Sequence, residues 1–207
     1  MPVPFPVSIA TFAMSGGPKK TIFIPQVIQM MNKQLEVMIN HTIIKEIEAM
    51  IAQQDGEMED VLVEEVLGTY EIKNNQRNVL SLSLSNYTYH ARAAHGMTII
   101  KSLTFDLKKG EKCTLKDLFK PGSDYVKRLS ALIQEQIKVR DIQLLNEFTA
   151  IRPDQDFYLA DKSIVIYFQL YELTAYVYGF PMFPISVYEV QDIIDENGPL
   201  GRLAQNN

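Results

Sequence analysis

Val79-Leu-Ser-Leu-Ser-Leu-Ser-Asn-Tyr-Thr-Tyr89 is the stretch of sequence that decides the fold. Leucine and serine alternate from Leu80 to Ser85, and this two-residue period is typical of a β-strand with one apolar and one polar face. A strand with one wet face belongs in an antiparallel sheet, because parallel sheets are covered on both faces. The pattern therefore predicts an antiparallel strand at residues 79–89, with its leucines in the core and its serines in water.

Two further strands flank this one in the sequence. Residues 61–72 are predicted to be its partner, joined to it by a turn at residues 73–76. After it, residues 97–107 carry apolar side chains at alternate positions and end at the Lys-Lys-Gly-Glu turn of residues 108–111. The three strands together predict an antiparallel meander.

An amphipathic helix is predicted ahead of the meander. Its apolar residues repeat every four positions and share one helix face: Leu35, Ile39, Ile43, Ile47 and Ile51. Asn32 is the predicted N-cap, and Asp55-Gly56 is the predicted end. Before this helix, strands at residues 7–13 and 21–25 are predicted to form a hairpin around the turn at residues 15–18.

The C-terminal part of the chain mixes helices and strands. A second helix is predicted to begin at Ser123 or Asp124, with a buried stripe of Val126, Leu129, Leu132, Ile133 and Ile137. Strands are predicted at residues 157–159 and 163–168. A short helix at residues 187–194 and a weakly structured tail at residues 198–207 complete the prediction.

Runs of strands with single helices between them indicate an α+β fold rather than a parallel doubly wound sheet. We predict an antiparallel meander with two main amphipathic helices packed on it and a short C-terminal helix. No linker separates two parts of the chain, so residues 1–207 are predicted to form a single domain. Its N-terminal half, residues 15–96, holds the strand pair, the first helix and the meander. Its C-terminal half, residues 97–207, holds a strand, a helix, further strands and an aromatic loop.

The composition limits the partners and the compartment. The chain has 207 residues, 22% of them charged, and a net charge of −5, which disfavours binding to nucleic-acid phosphates. Cys113 is the only cysteine, so no disulfide can form within the chain. No apolar run is long enough for a membrane span, and prolines interrupt the first six residues where a signal peptide would need an apolar run. We predict a cytoplasmic protein, or an extracellular one if a leader or anchor has been removed.

No catalytic or metal-binding constellation is evident in the sequence. The glycines at residues 15–21 lack the spacing and the following helix of a phosphate-binding loop. His90 and His95 are close in sequence, but no Cys, Asp or Glu joins them at ligand spacing. Cys113 lies between a turn and a helical cap, where no sequence feature predicts a lowered thiol pKa. We predict no catalytic residue, no metal and no cofactor.

The most unusual stretch runs from Tyr167 to Tyr188 and contains eight aromatic residues in 22 positions. Exposed aromatic side chains on a loop form recognition surfaces, because rigid rings bury much area at little entropic cost. The same rings can instead pack over a sheet edge or in the core. Both interpretations remain open from the sequence.

Several motifs occur in an order that resembles a known family. They are Ile24-Pro25-Gln26-Val27, Ala94-His95-Gly96, Leu103-Thr104-Phe105-Asp106-Leu107, Leu115-Lys116-Asp117-Leu118-Phe119, Phe157-Tyr158-Leu159, Tyr171-Glu172-Leu173 and Phe183-Pro184-Ile185. The series resembles the extracytoplasmic domain of the lysozyme-sensing anti-sigma factor RsiV. It also resembles the non-catalytic N-terminal domain of PdaC-type peptidoglycan deacetylases, over nearly the whole chain.

The resemblance implies a Gram-positive, Bacillus-type source, an α+β domain and a non-catalytic binding role. The expected ligand is a protein such as lysozyme, or a cell-wall fragment. The predicted ligand-binding residues are Tyr171, Glu172, Tyr176, Tyr178 and His95. Two alternatives remain: a cytoplasmic interaction protein, or a hydrolase or deacetylase whose site is assembled from distant residues.

Overall fold

The computed structural model describes residues 5–56 and 61–205, in two compact units that interleave along the chain. The first unit comprises Met1–Ile72 and Leu82–Leu103, and the second comprises Lys73–Ser81 and Thr104–Asn207. The described residues form nine strands and three α-helices, which confirms the predicted α+β class. Two of the N-terminal prolines and the last two residues of the predicted tail lie outside the described residues.

One sheet has six strands in the order β1-β2-β3-β4-β5-β6, and its first five strands contribute residues to the first unit. Their bounds are β1 Ser8–Gly17, β2 Lys20–Ile28, β3 Val63–Gln76, β4 Val79–His90 and β5 Met97–Asp106, and the last three continue into the second unit. β1 and β2 form the predicted antiparallel hairpin, although its turn lies at Pro18 and Lys19. β2 and β3 are parallel, because a helix between them carries the chain back across the sheet.

That helix, α1, spans Lys33–Gly56 and begins as predicted. The backbone N–H of Leu35 donates to Asn32 Oδ1 at 3.1 Å, so Asn32 is the N-cap. The buried stripe includes the predicted Leu35, Ile39, Ile43 and Ile47. Asn40 fixes the helix to β2, because its side chain accepts from Val27 N and donates to Val27 O, both at 2.8 Å. No helix in the part of the chain that the structure describes is long and apolar enough to cross a membrane.

The turn between β3 and β4 differs from the prediction. Residues 73–76 are not a loop, because β3 continues to Gln76 and the chain reverses at Arg77 and Asn78. Both turn residues have positive φ, 53° and 55°, as a two-residue hairpin turn of the mirror-image type requires. Asparagine tolerates this conformation well, but arginine does so at some cost in free energy. The sequence lacks the glycine that usually marks such a turn.

The prediction that the serine face of β4 lies in water is also wrong. Leu80, Leu82 and Leu84 are buried as expected, but Ser81 and Ser83 are buried too. In the second unit, Ser81 Oγ lies 2.8 Å from the hydroxyl of Thr104 and accepts a hydrogen bond from the backbone N–H of Leu159 at 3.0 Å. A hydroxyl group that has its hydrogen-bond partners can be buried at little net cost in free energy. The serines are therefore interior polar residues rather than surface ones.

In the second unit an α-helix packs against a three-stranded antiparallel sheet of order β7-β8-β9. The strands are β7 Phe157–Ala160, β8 Ser163–Tyr167 and β9 Met182–Ser186, and a short strand, β6 Glu111–Cys113, pairs with the end of β5. The helix, α2, spans Tyr125–Val139 and is capped by Asp124, whose side chain accepts from Lys127 N. This confirms the predicted helix start.

The prediction of the C-terminal elements is partly wrong. Residues 187–194 contain only a three-residue 3-10 helix, Val187–Glu189, in place of the predicted helix. The short C-terminal helix, α3, is Pro199–Ala204, within the segment predicted as a weak tail, and its Leu200 and Leu203 are buried. β9 lies where the aromatic loop was predicted to end.

A buried ion pair holds α3 in the second unit. Arg202 donates to both carboxylate oxygens of Asp106, at 2.7 and 3.2 Å, and their side chains are 11% and 1% exposed. The same guanidinium donates to the carbonyl oxygens of Arg77 and Asn78, at 3.1 and 3.2 Å. Asp106 also accepts from the backbone N–H of Lys108 at 2.9 Å. The β3–β4 turn and α3 are thus linked through one arginine.

Candidate functional site

The loop between β8 and β9 presents a cluster of exposed tyrosines in the second unit. Tyr171, Tyr176, Val177 and Tyr178 are 45%, 36%, 85% and 51% exposed. We call these four residues the tyrosine surface. Their exposure favours the recognition interpretation of the aromatic stretch over the core interpretation. Other rings of the stretch, including Tyr167, Phe168 and Phe183, are buried.

The base of this loop is fixed by buried apolar residues and backbone hydrogen bonds. Phe168 N donates to Pro181 O at 3.1 Å, which closes the loop at its two ends. The Phe168 ring packs edge-to-face on Phe148 and Phe183, with centroids 6.0 and 5.7 Å apart. Leu173 is buried, and its carbonyl accepts from Leu145 N at 3.0 Å. The exposed rings are therefore carried on an ordered support.

Backbone geometry sets the direction of the tyrosines. Tyr176–Tyr178 form one turn of 3-10 helix, closed by hydrogen bonds from Tyr178 N to Ala175 O and from Gly179 N to Tyr176 O, both 2.9 Å. Gly179 leaves this turn at φ 67° and ψ −135°, a conformation that only glycine adopts without strain. Tyr171 also has positive φ, 65°, which is unfavourable for an aromatic residue. Its ring lies 5.6 Å from that of Tyr176, tilted by 33°.

Glu172 follows Tyr171 in the chain, and its side chain is 22% exposed. One carboxylate oxygen accepts from Arg152 and from Gln155 Nε2, and the other accepts from the backbone N–H of Gln169 at 2.7 Å. Burial alone would lower the pKa of Arg152, but the hydrogen bond and charge of Glu172, together with the charges of Asp156 and Asp154, raise that pKa. Both carboxylate oxygens are thus used within the chain, where they hold the loop in place.

His95, the remaining predicted site residue, belongs to the first unit, whereas the tyrosines and Glu172 belong to the second. Its side chain is exposed, and its Nδ1 lies 2.9 Å from the carbonyl oxygen of Gly96. His90 is buried, and its Nε2 has no hydrogen-bond partner among the described residues. Within the same residues, no three His, Cys, Asp or Glu side chains form a group that could hold a metal ion.

Two further groups, Cys113 and Tyr125, are poorly suited to chemistry near neutral pH. Cys113 is buried, and burial, followed by the negative charge of Asp106, raises the pKa of its thiol to about 12. It is therefore a poor nucleophile near neutral pH. A cleft of about 240 Å³ lies beside α2. Eleven residues line it, among them Lys109, Lys116, Asp117, Lys120 and Tyr125. Burial, followed by the charges of Asp154 and Asp117, raises the pKa of Tyr125. A phenol with a raised pKa is not a general acid or base suited to neutral pH.

The sequence indicated where this surface lies, but it did not indicate all the residues that form and support it. The density of aromatic residues singled out the loop, and Gly179 marked its turn. Val177 was missed as a member, because the prediction rested on the aromatic residues of the stretch. Arg152 and Gln155 were missed as partners of Glu172, since they precede it by 20 and 17 residues and share no motif with it.

Two family models match this chain in separate regions. Residues 19–98 match the model described as "Deacetylase PdaC". Residues 116–188, which include the tyrosine surface, match a "Protein of unknown function (DUF3298)". Peptidoglycan-N-acetylmuramic acid deacetylase PdaC of Bacillus subtilis (strain 168) is 27% identical over 134 residues, which are 61% of this chain and 28% of that protein.

Solved structures share the fold at low sequence identity. A DUF3298 family protein from Pseudomonas aeruginosa PAO1 superimposes with a TM-score of 0.69 at 14% identity, and the match covers 99% of each chain. A member of the same family from Bacteroides fragilis NCTC 9343 gives a TM-score of 0.64 at 15% identity and covers 98% of each chain. The chain is therefore similar to the PdaC model in its N-terminal region and to the DUF3298 model in its C-terminal region, and it shares the fold of solved DUF3298 proteins.

Proposed function

We propose that this chain is a non-catalytic binding module that contacts a protein partner through the tyrosine surface. The observation that carries this proposal is the exposure of three tyrosines and Val177 on one loop whose base is buried and hydrogen-bonded. Tyrosine is enriched at protein interfaces, because its ring buries about 150–250 Å² and its hydroxyl can still bond to water or to a partner.

An ordered loop lowers the entropic cost of binding. The carboxylate of Glu172 and the buried side chains of Phe168 and Leu173 already hold the loop before any partner arrives. Fewer side chains then lose freedom on association, so more of the contact energy remains as affinity. In this proposal Glu172 is a positioning residue, and the tyrosines are the contacting residues.

A basic protein such as lysozyme is the first partner to test. The resemblance to the lysozyme-sensing anti-sigma factor suggests it, and the net charge of −5 favours association with a basic protein. The experiment is calorimetric titration of hen lysozyme into the wild-type chain at physiological salt. The variant Y176A/Y178A removes two rings of the tyrosine surface. The matched control is Tyr188→Ala, because Tyr188 is as exposed as Tyr178, at 51%, but follows β9.

The proposal predicts that Y176A/Y178A loses binding while Tyr188→Ala retains it. Equal losses in both variants, or binding that survives in Y176A/Y178A, would show that the tyrosine surface is not the contact. Far-ultraviolet circular dichroism of each variant checks that the fold is intact.

A cell-wall fragment is a second candidate ligand. The PdaC relative is named for action on peptidoglycan N-acetylmuramic acid, and the paired rings of Tyr171 and Tyr176 offer apolar faces on which a sugar ring can pack. The chain matches only 28% of that protein's length, so we propose no deacetylase activity for it. Titration of soluble muropeptides into the same three proteins tests this candidate, and binding unaffected by Y176A/Y178A would exclude it for this loop.

A further inference from the structure

The first strand of the chain is an exposed sheet edge with an unusual composition. β1 is the outermost strand of its sheet, and among the described residues no other strand pairs with its free edge. Its ten residues, Ser-Ile-Ala-Thr-Phe-Ala-Met-Ser-Gly-Gly, contain no charged residue and no proline, although 22% of the chain is charged. Natural sheets usually block a free edge with charges, prolines, bulges or very short strands, because an open edge can pair with another chain.

The irregularity of this strand lies at its end and leaves the edge usable. β1 pairs with β2 in regular register from Ser8 to Ser15, and the shift occurs only between Ser15 and Gly17. An edge strand of this length and regularity can accept a second strand through its backbone N–H and C=O groups. Seven residues, Ile9 to Ser15, lie within the regular part.

Large apolar side chains project from one face of this edge. Phe12 and Met14 lie opposite Ile24 and Ile22 of β2, so they share a face of the sheet, and they are 55% and 48% exposed. On that face Met14 borders a groove of about 410 Å³ lined largely by apolar residues, including Ile22 and Ile51. An added strand would cover apolar surface here as well as complete the backbone hydrogen bonds.

We propose that two copies of this chain pair through their β1 strands, antiparallel, about a two-fold axis at Phe12. The proposal is independent of the function of the tyrosine surface. In this register Phe12 faces Phe12 of the second copy, and Met14 faces Ala10, so large and small side chains alternate on the apolar face. On the other face Thr11 lies opposite Ala13 of the second copy.

The strand is complementary to itself, which favours a second copy over an unrelated strand. No like charges are opposed along the pairing, so the repulsion that usually prevents two identical edges from meeting is missing. A two-fold contact of this kind is closed, because each edge is used once and the pair cannot grow into a fibre through it.

The test is the oligomeric state of the full chain by sedimentation equilibrium over a range of concentrations. The variant Phe12→Lys places two ammonium groups opposite each other at the axis and should raise the dimer dissociation constant at least about tenfold. The matched control is Val37→Lys, because Val37 is 66% exposed and belongs to α1 rather than to the sheet edge. Its dissociation constant should equal that of the wild type. A wild-type chain that is monomeric throughout, or a dimer that both variants weaken equally, would overturn the proposal.

A charge-swap experiment tests the register. Phe12→Lys and Phe12→Glu should each be monomeric alone, and an equimolar mixture should form a heterodimer, because position 12 faces itself across the axis. Failure of the mixture to associate would overturn pairing about Phe12. Hydrogen exchange of the wild type gives a measurement without substitution: amides of β1 should gain protection as the concentration rises, and unchanged exchange would also overturn the proposal.

Discussion

Substitution of Arg202 by methionine is expected to destabilise the second unit more than any surface change. Methionine retains much of the volume but removes every donor of the guanidinium. The carboxylate of Asp106, 1% exposed, would then remain buried without its counter-charge, and the carbonyls of Arg77 and Asn78 would lose their donor. Removing one partner of a buried ion pair costs about 3–5 kcal/mol of unfolding free energy.

For a chain of this size, each kcal/mol lowers the melting temperature by about 2–4 °C. Arg202→Met should therefore lower Tm by about 6–20 °C in a thermal melt followed by circular dichroism. The matched control is Arg128→Met, because Arg128 is 48% exposed and lies 3.9 Å from an exposed Asp192. An exposed pair contributes at most about 1 kcal/mol, so its Tm should change by only a few degrees.

A second variant separates the buried charge from lost packing. Combining Arg202→Met with Asp106→Asn removes the charge that the single variant leaves unpaired, so the double variant should recover part of the lost stability. If Arg202→Met is no more destabilising than Arg128→Met, the ion pair does not hold α3 in the way described. If the double variant is worse than the single one by the full effect of Asp106→Asn, lost packing is the dominant cause.

Three further changes test the core and the loop. Leu82→Ala should cost about 2–5 kcal/mol in urea unfolding, because Leu82 is fully buried, and a loss under 1 kcal/mol would contradict its core position. Thr174→Val should leave stability unchanged or raise it slightly, because the buried Thr174 hydroxyl has no hydrogen-bond partner among residues 5–56 and 61–205; a loss above about 1 kcal/mol would indicate a bond to water. Cys113 should not react with a thiol reagent at pH 8 until the chain unfolds. Because burial, and then Asp106, raises its pKa from 9.0 to about 12, the folded state binds this proton more tightly. Its contribution to stability should be complete below pH 9 and should disappear as the pH rises to about 12, and an unchanged urea midpoint over that range would contradict this.

Local signals in the sequence predicted the elements that depend on local physics. The four-residue repeat and Asn32 fixed both the face and the start of α1, and Asp124 marked the start of α2. The alternation of β4 placed its leucines in the core. These features need no knowledge of distant residues, because the period and the cap act within a few positions.

Features that depend on distant partners could not be predicted in this way. Ser81 is buried only because Thr104 and Leu159 supply its hydrogen bonds. α3 is short, and a six-residue helix is unstable without tertiary contacts, so its sequence resembles a tail. At the candidate site, the aromatic density indicated the loop, but which rings are exposed depends on how the loop packs on its base.

The interleaving of the two units also constrains how the chain can fold as it is synthesised. Every residue of the first unit precedes residue 104, whereas the second unit needs Lys73–Ser81, made early, together with Thr104 and all that follows. Val79, fully buried in the core cluster of the second unit, therefore emerges long before most of the residues that pack against it. The carbonyls of the Arg77-Asn78 turn receive their hydrogen-bond donor later still, because Arg202 must first be synthesised and leave the ribosome. A nascent chain thus carries the Arg77-Asn78 turn and the neighbouring Val79 through more than a hundred further residues before Arg202 completes their surroundings, and over that interval a chaperone can bind there.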